Sequence, residues 1–220
     1  MYVGATVGAL LPIVNPITAA PVFLSVTQGK TNLYRLRQAR LASIYVATIL
    51  LVSLFAGAVI LNLFGITLPV LRVAGGLVVT RVGFGMLDPP NHPRVSAAET
   101  EDAQQTDDVA FTPIAMPMLA GPGSIAATIA LATETTGIVS NFGIAVGIVV
   151  VACVAWLTLR FSSRVVELIG PTGMNALTRL MGLILVCIGI TFMATGIVEG
   201  LTGDRMTGVL REWLDRLGSA

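Results

Sequence analysis

Charge is what this sequence most lacks. Only 11% of its 220 residues are Asp, Glu, Lys or Arg, against about 25% in soluble domains, and its mean hydropathy is +0.86. A soluble globular chain is excluded, and a polytopic membrane protein is expected. Histidine occurs once, as His92 in the turn-forming stretch Asp88-Pro89-Pro90-Asn91-His92-Pro93, and reads there as a solvated loop residue. Cys153 and Cys187 sit in apolar runs without partner spacing, so they read as small core residues rather than as a disulfide or metal pair. The apolar runs carry no Ser/His/Asp arrangement and no metal cluster, so neither enzymatic activity nor a cofactor is expected. Nor do they contain a carboxylate, since Glu134 and Glu199 stand at their ends, and an acidic proton relay has no evident seat. No basic stretch precedes the first apolar run, which therefore reads as a retained span rather than a cleaved signal.

What is present is a series of apolar runs long enough to cross ~30 Å of hydrocarbon at 1.5 Å per residue. Six such spans are expected, at 3–26, 41–63, 68–87, 111–132, 142–159 and 180–198. Basic residues divide unequally between the connections. The first, third and fifth hold Lys30, Arg35, Arg37, Arg40, Arg94, Arg160, Arg164 and Arg179, while the opposite side holds Arg205, Arg211 and Arg216. The positive-inside rule then predicts a multi-pass cell-membrane protein with both termini outside. The acidic stretch 88–110 reads as a cytoplasmic linker between a first unit at 1–87 and a second at 111–201. After it, 202–220 spaces Met206, Val209, Leu210, Trp213, Leu214 and Leu217 as an amphipathic interfacial helix, with packing on another copy of the chain as the alternative.

Two of the runs are interrupted. Leu11-Pro12-Ile13-Val14-Asn15-Pro16-Ile17-Thr18-Ala19-Ala20-Pro21 breaks the first, and Phe111 to Ser124, ending in Ala120-Gly121-Pro122-Gly123-Ser124, breaks the fourth. Each proline removes the donor for the carbonyl four residues earlier. Unpaired carbonyls are costly in hydrocarbon, so these segments are expected to line a cavity. Asn15-Pro16 and Gly121-Pro122 also read as helix starts, with proline at the first helical position. Donors near Ile17, Thr18, Gly123 and Ser124 would receive a carboxylate, and freed carbonyls with the Asn15 side-chain oxygen would receive an ammonium. Thr18, Ser124 and Thr128 add hydroxyls.

The two halves match beyond their prolines. Pro16 pairs with Pro122, Gly65 with Gly170 and Arg72 with Arg179, all at offsets near 106 residues. A unit of three spans must reinsert upside down, which predicts an inverted repeat with the first and fourth spans meeting at the centre. Arg72 and Arg179 each lie within a turn of a span's start. They either snorkel to the interface or close a gate on each side. Arg81 has no counterpart, and reads as snorkelling.

These residues resemble the MarC/SnatA family of six-span membrane proteins. The resemblance covers about 3–201 and rests on Pro12-Ile13-Val14-Asn15-Pro16, Pro21-Val22-Phe23-Leu24-Ser25, Leu71-Arg72-Val73-Ala74-Gly75-Gly76, Ile114-Ala115-Met116-Pro117 and Ala120-Gly121-Pro122-Gly123-Ser124. It implies transport of small neutral amino acids such as glycine, alanine or serine, with the two broken helices as the site. Thr18 stands where the family has glycine or another small residue, Arg81 where it has aliphatics, and the amphipathic tail is an addition. The expectation is thus an all-α membrane protein of six transmembrane helices, built as two inverted three-helix repeats with helices 1 and 4 broken at mid-membrane. Substrate-binding candidates are Asn15, Pro16, Ile17, Thr18, Ala120, Gly121, Pro122, Gly123, Ser124 and Thr128, with Arg72 and Arg179 as gates. Expected partners are the amino acid, the lipid bilayer, a coupling ion (sodium or proton) and a homo-oligomer, with no nucleic acid. A non-transporting scaffold or accessory subunit is the alternative.

Overall fold

A computed structural model describes residues 2–87, 109–135 and 137–202. His92, Arg94 and the tail with Trp213 lie outside the described residues. Among those described, every regular element is helical: α1 (Tyr2–Val14), α2 (Pro16–Val26), α3 (Asn32–Leu63), α4 (Leu68–Leu87), α5 (Ala110–Leu119), α6 (Pro122–Glu134), α7 (Ile138–Arg160) and α8 (Ser162–Thr202). Helices α3, α4, α7 and α8 are each long and apolar enough to cross a membrane. Counting each bent pair as one span, α1 with α2 at 41° and α5 with α6 at 60°, gives six.

Two helices extend well past the apolar runs that predicted them. α3 begins at Asn32 rather than 41, and α8 at Ser162 rather than 180. Arg35, Arg37, Arg40, Arg164 and Arg179, expected in loops, therefore stand on helices. An apolar run marks depth in hydrocarbon, whereas a helix continues until its backbone pattern is stopped. The 32 residues of α3 span about 48 Å at 1.5 Å each, well beyond ~30 Å of hydrocarbon. Its start is set by Thr31, whose hydroxyl accepts from the Tyr34 N–H at 3.2 Å, an N-cap. α8 breaks instead at Gly170, where φ is +68° ahead of Pro171, and Gly65 takes φ +66° between α3 and α4.

Leu10, Val14, Phe23, Val46, Leu50, Ile114, Leu119, Ile144 and Ile148 form the main core, joining α1, α2, α3, α5 and α7. A second core joins α4 to α8 through Val79, Met86 and Leu185. Outward-facing Phe55, Val59, Leu77, Phe84, Phe142, Leu183 and Ile190 are exposed, as apolar side chains are where lipid covers them. Cys153 and Cys187 are exposed too, so the expectation that they are core residues is corrected: they face outward.

The helix ends fall into two groups. A Cβ on Gly143 would meet Tyr2 Cβ at 2.8 Å, which puts the starts of α1 and α7 together. Arg72 bonds Glu134 and Glu199, adding the start of α4 and the ends of α6 and α8 to that end. The starts of α3 and α8 and the end of α7 line one cavity at the opposite, arginine-rich end.

Candidate functional site

The first break is a single residue. Asn15 adopts φ 45° and ψ 60°, the left-handed region, which asparagine tolerates better than most side chains. Its N–H still donates to Leu11 at 2.9 Å, closing α1, and Pro16 opens α2 at the first helical position. The side chain does not cap α2, contrary to the expected N-cap. Instead its Nδ2 is buried without a hydrogen-bond partner, while the residue as a whole is 8% exposed. An unpaired buried donor costs about 1–3 kcal/mol.

The second break is longer. Thr112 (φ −119°, ψ 127°) and Met116 (φ −127°, ψ 128°) are extended inside α5, because each precedes a proline whose ring disfavours helical geometry at the residue before it. Gly121, also extended at φ −77° and ψ 174°, leads into Pro122 at the start of α6. The two breaks therefore differ in kind although their sequences are alike.

The two breaks meet directly. A Cβ on Gly123 would stand 3.6 Å from Ile13 Cγ2, at the end of α1, and 2.2 Å from Val79 Cγ2 on α4. One on Gly121 would lie 2.6 Å from the Pro117 carbonyl oxygen. The close approach that these glycines permit is made here by protein atoms. Asn15, Pro16, Thr18, Ala120, Gly123, Ser124 and Thr128 are buried, Ile17 and Gly121 are partly buried, and Pro122 is exposed. All three candidate hydroxyls donate to backbone carbonyls: Thr18 to Asn15 at 3.1 Å, Ser124 to Gly121 at 2.9 Å and Thr128 to Ser124 at 2.7 Å. They retain only acceptor capacity.

The two candidate gate arginines differ. Arg72 is 4% exposed and bonds Glu134 through Nη2 and Glu199 through Nη1, so it is held between helices rather than snorkelling free. Arg179 is exposed and forms no ion pair among the described residues. The apolar runs mark Glu134 and Glu199 only as span-end residues. The readable signal was Arg72 itself, since a charge set a turn inside a span demands an opposite charge nearby.

The MarC family of integral membrane proteins matches residues 1–201. The chain belongs to the MarC family. Among curated MarC relatives, the UPF0056 inner membrane protein MarC of Citrobacter koseri is 36% identical over 208 residues, covering 90% of this chain and 94% of that protein. Proteins of the same name from Salmonella typhimurium, over 208 residues, and Escherichia coli O1:K1, over 209, are each 38% identical with the same coverage. No solved structure matches. Membership in MarC, with several apolar helices, makes this a multi-pass protein of the inner membrane.

Proposed function

We propose that the protein carries small neutral amino acids of the glycine, alanine or serine type across the membrane, by alternating access between two inverted three-span units. The observation carrying this reading is the buried, unpartnered Nδ2 of Asn15 at a helix break packed against Gly123 of the second break. An amide nitrogen can only donate, which suits the carboxylate of an amino acid. The start of α2 adds the positive end of a helix to that donor. Ammonium binding falls to backbone carbonyls released by Pro12, Pro113 and Pro117. The buried neighbours Ala19, Ala20 and Ala120 leave room for a small side chain only.

Helix packing supports the inverted repeat. α1 packs on α7 as α5 packs on α3, and α2 on α8 as α6 on α4. Each pairing becomes the other when the halves exchange. Gly65 and Gly170, paired in sequence, share a positive φ. In this reading Arg72, Glu134 and Glu199 form the closed gate of one end, with Arg179 the unpaired gate residue of the other. The concentration of arginines opposite Arg72 supports placing that opposite end in the cytoplasm and both termini outside.

The deciding experiment is radiolabelled alanine flux into proteoliposomes containing the protein, Asn15→Ala or Gly123→Leu, with imposed sodium and pH gradients in turn. Saturable flux in the unaltered protein and its loss in both folded variants is expected. Equal flux in all three would refute the site, and none for any common amino acid would favour a non-transporting scaffold.

A further inference from the structure

The arginine-rich end holds a concave site separate from the helix breaks. A cavity of about 310 Å³ opens between the starts of α3 and α8 and the end of α7, lined by Asn32, Arg35, Arg160, Ser162, Ser163 and Arg164. Three guanidinium groups therefore converge on one concavity. Counter-charge is scarce there. The described residues contain three carboxylates, Glu134, Glu167 and Glu199, and two of these are on Arg72 at the other end. Glu167, on α8 near Arg164, makes no ion pair among the described residues.

The arginines are also held in place. Arg35 donates from Nε and Nη2 to the Thr27 carbonyl at 3.3 Å each, which leaves Nη1 for another acceptor. The Arg160 guanidinium lies 5.3 Å from the Trp156 ring centroid and 5.6 Å from that of Phe161, and Arg164 stands 5.8 Å from Phe161. One ring thus gathers two like charges, an arrangement that an anion between them stabilises. Leu36 and Phe161, both exposed, border the cavity with apolar surface. With charged and apolar side chains lining it together, at the end of membrane helices with a tryptophan beside it, the site has the chemistry of an interfacial lipid pocket.

We infer that this cavity binds the phosphate headgroup of an anionic phospholipid, with Arg35, Arg160 and Arg164 on the phosphate and the acyl chains running down the apolar border. Native mass spectrometry and thermal melting of the full-length protein in neutral detergent test it, with phosphatidylglycerol, phosphatidylcholine or 10 mM inorganic phosphate (about ten-thousandfold above a micromolar dissociation constant) added separately. Phosphatidylglycerol is expected to remain bound and raise Tm, and phosphatidylcholine to do neither. Arg160→Gln/Arg164→Gln should weaken phosphatidylglycerol binding about thirtyfold, at roughly a factor of five per arginine. Arg164→Gln alone should give the intermediate loss, which keeps the test readable if the double variant fails to fold. Arg37→Gln/Arg40→Gln removes equal charge from the same end outside the cavity and should change binding less than about threefold. Equal loss in that control would reduce the effect to diffuse surface charge and overturn the site. Equal stabilisation by inorganic phosphate would overturn the lipid as ligand.

Discussion

A Cβ added to Gly76 would lie 2.5 Å from the carbonyl oxygen of Gly189, and one added to Gly189 would lie 2.6 Å from that of Gly76. Two turns further along each helix, the contact recurs between Gly83 and Gly182, at 2.8 Å in both directions. An offset of 106 residues carries Gly76 to Gly182 and Gly83 to Gly189, so it exchanges the two contacts. The same offset carries Thr80, which crowds Gly189, to Val186, which crowds Gly83. Membrane helices gain stability from such backbone approach, because lipid supplies little hydrophobic drive between them.

This contact predicts matched losses. Gly76→Ala and Gly83→Ala should each destabilise by about 1–3 kcal/mol, the cost of overpacking, because backbone rather than a flexible side-chain end must move. Gly85→Ala, on the same helix with nothing within 4 Å, should hold or raise stability, as alanine favours helix by about 1 kcal/mol. Thermal melting in one detergent compares them. Similar behaviour of all three variants would show that α4 and α8 do not pack this way.

The bridge at Arg72 predicts an asymmetry. The arginine side chain is 5% exposed while those of Glu134 and Glu199 are 55% and 40% exposed. Carboxylates left alone can rehydrate, whereas a guanidinium left alone stays buried. Glu134→Gln/Glu199→Gln should therefore lower stability more than Arg72→Gln, approaching the ~3–5 kcal/mol of an uncompensated buried charge. The ranking of the melting temperatures is the check. The reverse order would mean that Arg72 is hydrated in the folded protein.

Much of this was legible from the chain alone, and the gaps have physical causes. α4 begins at Leu68 and ends at Leu87, as its apolar run does, because Gly65 turns the chain before it. The basic starts of α3 and α8 lie outside the apolar runs, since hydropathy reports the solvent around a helix and not the backbone bonds that continue it. The place of the breaks was readable from proline. Their inequality was less so: Pro113 and Pro117 each turn the preceding residue out of helix, while Ala20 before Pro21 remains helical. No spacing rule could foretell that Val79 covers Gly123, because that contact depends on how α4 lies across the pair of breaks.

Asn15 allows backbone and side-chain roles to be separated. At φ 45° an alanine is strained by roughly 1–2 kcal/mol, whereas glycine is not. Asn15→Gly should therefore melt near the unaltered protein while losing about tenfold or more in alanine flux, the worth of one hydrogen bond to a charged group. Asn15→Ala should lose both. Unaltered flux in Asn15→Gly would leave the asparagine as a backbone device alone.

Gly123 and Val79 give the most direct test of how the breaks are packed. Alanine at 123 would bring its Cβ to 2.2 Å from Val79 Cγ2, closer than two carbon atoms can stand, so α4 and α6 would separate or Val79 change rotamer. Gly123→Ala should cost about 1–3 kcal/mol. Val79→Ala, which removes the atom that collides, should cost about as much through its cavity. Combined, they should be less harmful than their sum by roughly 1 kcal/mol or more, as touching residues are coupled. Melting of the four proteins closes the cycle. Strict additivity would place Val79 away from Gly123, and the second break would then be open to substrate from the α4 side.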